Sequence, residues 1–185
     1  MFVKNFVRIQ SEKPQSQAMD GLDERKKRPT SGRCDLIHSA KCLTMNLQNT
    51  SAAIPATGYA GDVSPELAWR WVQSGEAVLV DVRSDAEREW VGFVPGAVPL
   101  AWKQWPGVAI NPNFDASIQA AVPAGQKAVL MCRSGVRSIA AAKRATELGL
   151  AAYNILEGFE GDADAEGHRG LRGGWRQRGL PWRQN

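Results

Sequence analysis

The chain has 185 residues, 43% of them hydrophobic and 23% charged, enough for one packed domain of roughly 100 to 150 residues with chain to spare. Its three cysteines, at positions 34, 42 and 132, form neither the even framework of a small secreted module nor the paired spacing of a zinc ribbon, so a reducing compartment is expected. The formal charge of +4 resides in residues 1–44, which hold nine Lys/Arg against five Asp/Glu, and the balanced remainder shows no basic groove interleaved with aromatics, so no nucleic-acid partner is expected.

Residues 1–44 are polar and charge-mixed and contain none of the seven tryptophans, which predicts a disordered leader. Met45 opens a more ordinary beginning and is an alternative start; peptides from upstream of it in the native protein would rule that out. Lys4 and Arg8 interrupt the first apolar residues before they reach the ~7 to 15 of a secretory signal, and Glu12, Asp20, Asp23 and Glu24 weigh against a transit peptide. No apolar stretch approaches the ~18 residues that cross a bilayer, so a cytoplasmic protein without a membrane partner is expected. Within the leader, Cys34, His38 and Cys42 would share one face of a helix, yet a fourth ligand is missing. Neither a metal nor a cofactor is expected.

Residues 45–61 read as a linker and 62–185 as the folded domain. Ser64-Pro65-Glu66 supplies a capping hydroxyl, a first-turn proline and an early acid ahead of Leu67, Ala68, Trp71 and Val72, which predicts a short helix ending near Gly75. AVLVDV at 77–82 is a continuous apolar, β-branched run, the pattern of a strand covered on both faces. Ser84 followed by Glu87 is a capping box, so a second helix follows at once. Pro95-Gly96-Ala97 makes a turn into Val98-Pro99-Leu100, and a third helix is expected around 114–121. KAVLM at 127–131 reads as a strand, 138–148 as an amphipathic helix stopping at Gly149, AAYNIL at 151–156 as a strand, and Trp175 to Arg178 as a last short helix. Strands alternating with helices in this way imply an α/β fold with a parallel sheet covered on both sides.

The chemistry concentrates between KAVLM and the next helix, in Cys132-Arg133-Ser134-Gly135-Val136-Arg137-Ser138. A cysteine at the carboxyl end of a central strand with a helix start just behind it lies where open α/β sheets place their ligands. Unpaired N–H groups, the positive end of the helix dipole, the turn allowed by Gly135 and two arginines together favour thiolate over thiol. Cys132 is therefore the expected nucleophile, with the amides of Arg133 to Ser138 converging on its sulfur.

The segments SPELA (64–68), LVDVR (79–83), GFVPGA (92–97), CRSGVRS (132–138) and LEGFEG (156–161) together resemble the rhodanese-like sulfurtransferase family over about Val63 to Trp182. The resemblance implies a three-layer domain around a mainly parallel five-stranded sheet. It also implies sulfur transfer, in which the Cys132 thiolate takes sulfane sulfur from thiosulfate or a persulfide and passes it to cyanide or a thiol. Thioredoxin, glutathione, a cysteine desulfurase or a sulfur-accepting biosynthetic protein are the partners such an activity would have. Four residues lie between Cys132 and Arg137, one fewer than in the cysteine phosphatase loop, and the smaller ring fits sulfur better than phosphate. A non-catalytic rhodanese module for binding or regulation, and arsenate-reductase or phosphatase chemistry, are the alternatives.

Arg133 and Arg137 are expected to attract and orient an anionic donor. Arg137 has a second reading, a brace salt-bridged to a nearby carboxylate, for which Asp81 at the end of the other buried strand is the candidate. Arg83 and Glu87 read as framework and helix-start groups. His168 and Arg169 either reach over the mouth of the site or lie in a solvated loop. Where the family has Gly-His-Ile-Pro-Gly-Ala, this chain has Gly92-Phe93-Val94-Pro95-Gly96-Ala97, and Phe93 cannot supply the polar contact of a histidine.

Overall fold

The computed structural model describes residues 52–106 and 109–185. The expectations for the leader and for Cys34, His38 and Cys42 lie outside those residues. Eleven elements follow one another: β1 (Ile54–Ala56), β2 (Tyr59–Val63), α1 (Pro65–Gln73), β3 (Ala77–Asp81), α2 (Asp85–Val91), β4 (Val98–Pro99), α3 (Phe114–Ala121), β5 (Lys127–Met131), α4 (Val136–Glu147), β6 (Ala151–Ile155) and α5 (Gly174–Gln177). They build one sheet in the order β1-β2-β6-β5-β3-β4, in which only the β1–β2 pair is antiparallel among the described strands. Among the described residues no helix is long and apolar enough to cross a membrane.

The caps form as the sequence requires. Ser64 Oγ accepts the Leu67 amide at 3.2 Å with Pro65 in the first turn, and Ser84 and Glu87 complete a reciprocal capping box. Side-chain alternation in the central strands divides the core into two layers. Val80, Val82, Ala128, Leu130 and Cys132 face α3 and α4, where Phe114, Ile118, Ala141, Ala142 and Ala145 close the packing. On the opposite face Leu79, Val129, Met131 and Ile155 pack with Leu67 of α1, Phe159 and Trp175 of α5.

Two expectations are corrected. The sheet has six strands rather than five, and residues 54–61, assigned to a linker, are part of it. The reason is local: β1 and β2 form a short hairpin, IPA and YAGDV, that turns at Gly58, which has a φ of 85°. Gly61 passes so close to β1 that an added Cβ would lie 2.5 Å from the Ile54 carbonyl oxygen. That spacing leaves little apolar signal to read.

Candidate active site

Cys132 continues the alternation of β5 by one step, so its thiol enters the α4 side of the sheet and is 1% exposed. Gly135 adopts a φ of 92° as the N-cap of α4, and its amide donates to Cys132 Sγ at 3.2 Å. Ser138 Oγ, in the first turn of α4, lies 3.2 Å from the same sulfur. Among the described residues these two groups are the hydrogen-bond partners of Sγ. The converging ring of amides from Arg133 to Ser138 therefore reduces to one amide and one hydroxyl. A 12-residue helix begins at Val136, and its positive end remains behind the loop.

The loop is held from behind by the segment after β6. Phe159 N–H donates to Cys132 O at 2.8 Å and Glu160 N–H to Arg133 O at 2.9 Å. Gly158, at a φ of 61°, allows this approach, since an added Cβ would lie 2.7 Å from both Arg133 C and Ser134 N. Glu157 ties the same segment to Arg178, which donates to Glu157 Oε1 at 2.6 Å and to Glu66 Oε1 at 2.9 Å. Gly158, Phe159 and Arg178 were not singled out as site supports from sequence, although LEGFEG carried the first two.

Arg137 is anchored: its Nη1 and Nη2 donate to the two Glu87 oxygens at 2.8 and 2.6 Å. This is the brace reading, with a corrected partner. Asp81 is occupied by Arg83, which donates from Nε at 2.9 Å and from Nη2 at 2.6 Å, both side chains being buried. Arg83 also donates to Gly92 O and lies 3.9 Å from the Phe159 ring centroid. Residues two apart at a strand end turned the pair toward each other.

Burial opposes the charge on Glu87, but hydrogen bonds from Arg137 and Ser84 outweigh it and hold its pKa at about 2, below the ordinary 4.5. The carboxylate therefore stabilises the fold above the unfolded value, and that stabilisation is lost as pH falls through the folded one. Glu87→Gln is expected to be less stable than the parent by about 1 to 2 kcal/mol at neutral pH, after allowance for partial exposure. Urea unfolding between pH 4.5 and 2 should show that deficit shrinking; a deficit constant over the window would contradict it.

Arg133 is exposed, and Val136 is 73% exposed beside it. A cavity of about 110 Å³ is lined by Arg137, Glu87, Ser84, Lys103, Gln104 and Trp105, so cationic and apolar groups border the loop. A second cleft, about 380 Å³, is lined by Asp81, Arg88, Phe93 and Pro99 among others and contains none of the loop residues. His168 and Arg169 are engaged within their own segment: the His168 amide donates to Asp164 and Arg169 to Gly161 O. These contacts do not bring them to the sulfur. Phe93 pairs its backbone with Arg183 at 2.8 Å in both directions, while Val94 fills the core, so this segment is held without a histidine.

The model of the rhodanese-like domain matches residues 64–165. The chain belongs to the rhodanese-like domain family. A protein of Mycobacterium tuberculosis, Rv0390, is 46% identical in its crystal structure, with a TM-score of 0.63 over 69% of this chain and 99% of that one. The thiosulfate sulfurtransferase GlpE of Actinobacillus succinogenes is 29% identical over 121 residues, 65% of this chain and 87% of that protein. An uncharacterised protein of Rickettsia conorii, RC0915, is 32% identical over 120 residues, 60% of this chain and 86% of its own length. The rhodanese loop, Cys132 to Ser138, falls within the matched region.

Proposed function

We propose that this rhodanese-like chain is a sulfurtransferase that carries sulfane sulfur as a persulfide on Cys132. The observation that carries the reading is a free cysteine at the carboxyl end of β5, with the Gly135 amide on its sulfur and a helix N-terminus behind it. Similarity to a thiosulfate sulfurtransferase supports it. In the first step the Cys132 thiolate attacks the outer sulfur of thiosulfate. The sulfur–sulfur bond of the donor breaks, sulfite leaves with the electron pair, and a cysteine persulfide anion remains. In the second step cyanide or a thiolate attacks the terminal sulfur, departs as thiocyanate or as a new persulfide, and returns the Cys132 thiolate. Arg133 at the exposed rim favours an anionic donor, whereas Arg137 stiffens the loop through Glu87. A protein or low-molecular-weight thiol is the natural acceptor, and a reducing, cytoplasmic setting follows from a mechanism that needs a free thiol.

Intact-mass measurement after incubation with thiosulfate tests the reading. The parent is expected to gain one sulfur atom, about 32 Da, released by cyanide, and Cys132→Ser to gain none. Loading that survives in Cys132→Ser would place the sulfur elsewhere. The near-complete burial of the thiol favours a second reading, a non-catalytic module for protein binding. That reading is the outcome if the parent gains no mass.

A further inference from the structure

We propose that Asn154 and Asp62 are positioning residues that hold the single hydrogen of the Ser138 hydroxyl away from the Cys132 sulfur in the resting protein. The inference rests on the reading of Cys132 as the reacting sulfur. Sheet register places Asn154 of β6 between Leu130 of β5 and Asp62 of β2, and strand alternation turns it to the α4 side, where Ser138 is. Ser138, Asn154 and Cys132 are all at most 1% exposed, so their polar atoms need partners inside the protein.

Ser138 Oγ has two close neighbours, Asn154 Oδ1 at 2.6 Å and Cys132 Sγ at 3.2 Å, and one hydrogen to give. The direction is decided one residue further out. Asn154 Nδ2 lies 2.8 Å from Asp62 Oδ1, and reversing the amide would set two acceptor oxygens at that distance. Asp62 Oδ1 also accepts the Tyr59 phenol at 2.9 Å. Burial first, and then the hydrogen bond and charge of Asp62, push the Tyr59 pKa up to about 12, so the phenol keeps its proton and donates. With the amide fixed, Asn154 Oδ1 can only accept, and the Ser138 hydrogen points to it. A lone pair of Ser138 then faces the sulfur, which suits an S–H and opposes a negative charge. Turning the hydroxyl toward sulfur would leave Asn154 Oδ1 buried without a donor. The partly exposed carboxylate of β2 thereby governs a proton beside a covered sulfur.

Other charged groups on the elements around the sulfur are Arg133 and the Arg137–Glu87 pair, Asp81–Arg83 from β3, and Glu157–Arg178 with Glu160 behind the loop. All are retained in the test, which compares variants in a Cys34→Ser, Cys42→Ser background so that the signal comes from Cys132. The ultraviolet thiolate absorbance at neutral pH, referenced to Cys132→Ser, is read for the parent, Asn154→Leu, Ser138→Ala and the double variant. Asn154→Leu frees the hydroxyl to donate to sulfur, and the thiolate fraction is expected to rise several-fold. The rise is expected to vanish when Ser138→Ala is added, because a structural disturbance alone would not require the hydroxyl. Asp62→Asn, which releases the amide orientation from the β2 side, should give a smaller rise and carries the test if Asn154→Leu does not fold. An unchanged thiolate signal in the folded variants, or a rise that persists without Ser138, overturns the proposal. Mass loading with thiosulfate is measured in parallel: absent loading with the predicted absorbance pattern defeats sulfur transfer and leaves the positioning role, and loading with a flat pattern does the reverse.

Discussion

Replacing Asp81 with leucine is expected to destabilise the domain by about 3 to 5 kcal/mol, because it leaves the Arg83 cation buried without its counter-charge. Arg83 is 0% and Asp81 1% exposed, and the guanidinium has no route to water without disturbing the packing around Phe159. Its Nη1 already lacks a hydrogen-bond partner, so the ion pair and the Gly92 carbonyl carry its polar satisfaction. Adding Arg83→Met should recover much of the loss, since an apolar pair of similar volume removes the unpaired charge. Urea denaturation of the two single variants and the double variant measures this. Additive losses would mean that the pair is not coupled, contrary to its geometry.

Gly158→Ala is expected to have the largest effect among glycine substitutions on the Cys132 loop. Its φ of 61° already disfavours a side chain, and the added methyl group would meet the backbone of Cys132, Arg133 and Ser134, which has no flexible end to move aside. A loss of at least about 2 kcal/mol is expected, together with a large drop in sulfur loading as the loop shifts off the Phe159 and Glu160 amides. Gly75 supplies the control. It has a φ of 76° and open space around the missing Cβ, so Gly75→Ala carries backbone strain alone. Equal losses in stability and loading from the two variants would show that the contact with the loop is unimportant.

The sheet core was legible because AVLV at 77–80 and AVLM at 128–131 are apolar at every position, and a strand covered on both faces needs that. Ser64 and the Ser84–Glu87 box marked two helix starts because capping requires specific side chains at specific steps. Other features depended on tertiary placement. The hairpin at 54–63 is short and is interrupted by Pro55, Gly58 and Gly61, which leaves little alternation to detect. Arg137 found Glu87, fifty positions away, and Asp81 was claimed by a neighbour two positions on; sequence separation could not rank those partners. Asn154 did leave a trace, a lone amide inside an apolar strand, where a polar group must find buried partners. The burial of the sulfur followed from strand parity, whereas the helix start and the arginines drew attention to a charged rim.

That parity gives the length of β5 a chemical meaning. Adding or deleting a single residue between Lys127 and Cys132 would reverse the side toward which the thiol turns, from the α4 layer to the layer of Met131, Phe159 and Trp175. The sulfur would then be parted from Ser138 and Asn154 by the thickness of the sheet, with every residue of the loop still present in the chain. Counting along the strand thus fixes where the sulfur lies as firmly as the identity of the cysteine, and tolerance to insertion should fall abruptly at this stretch.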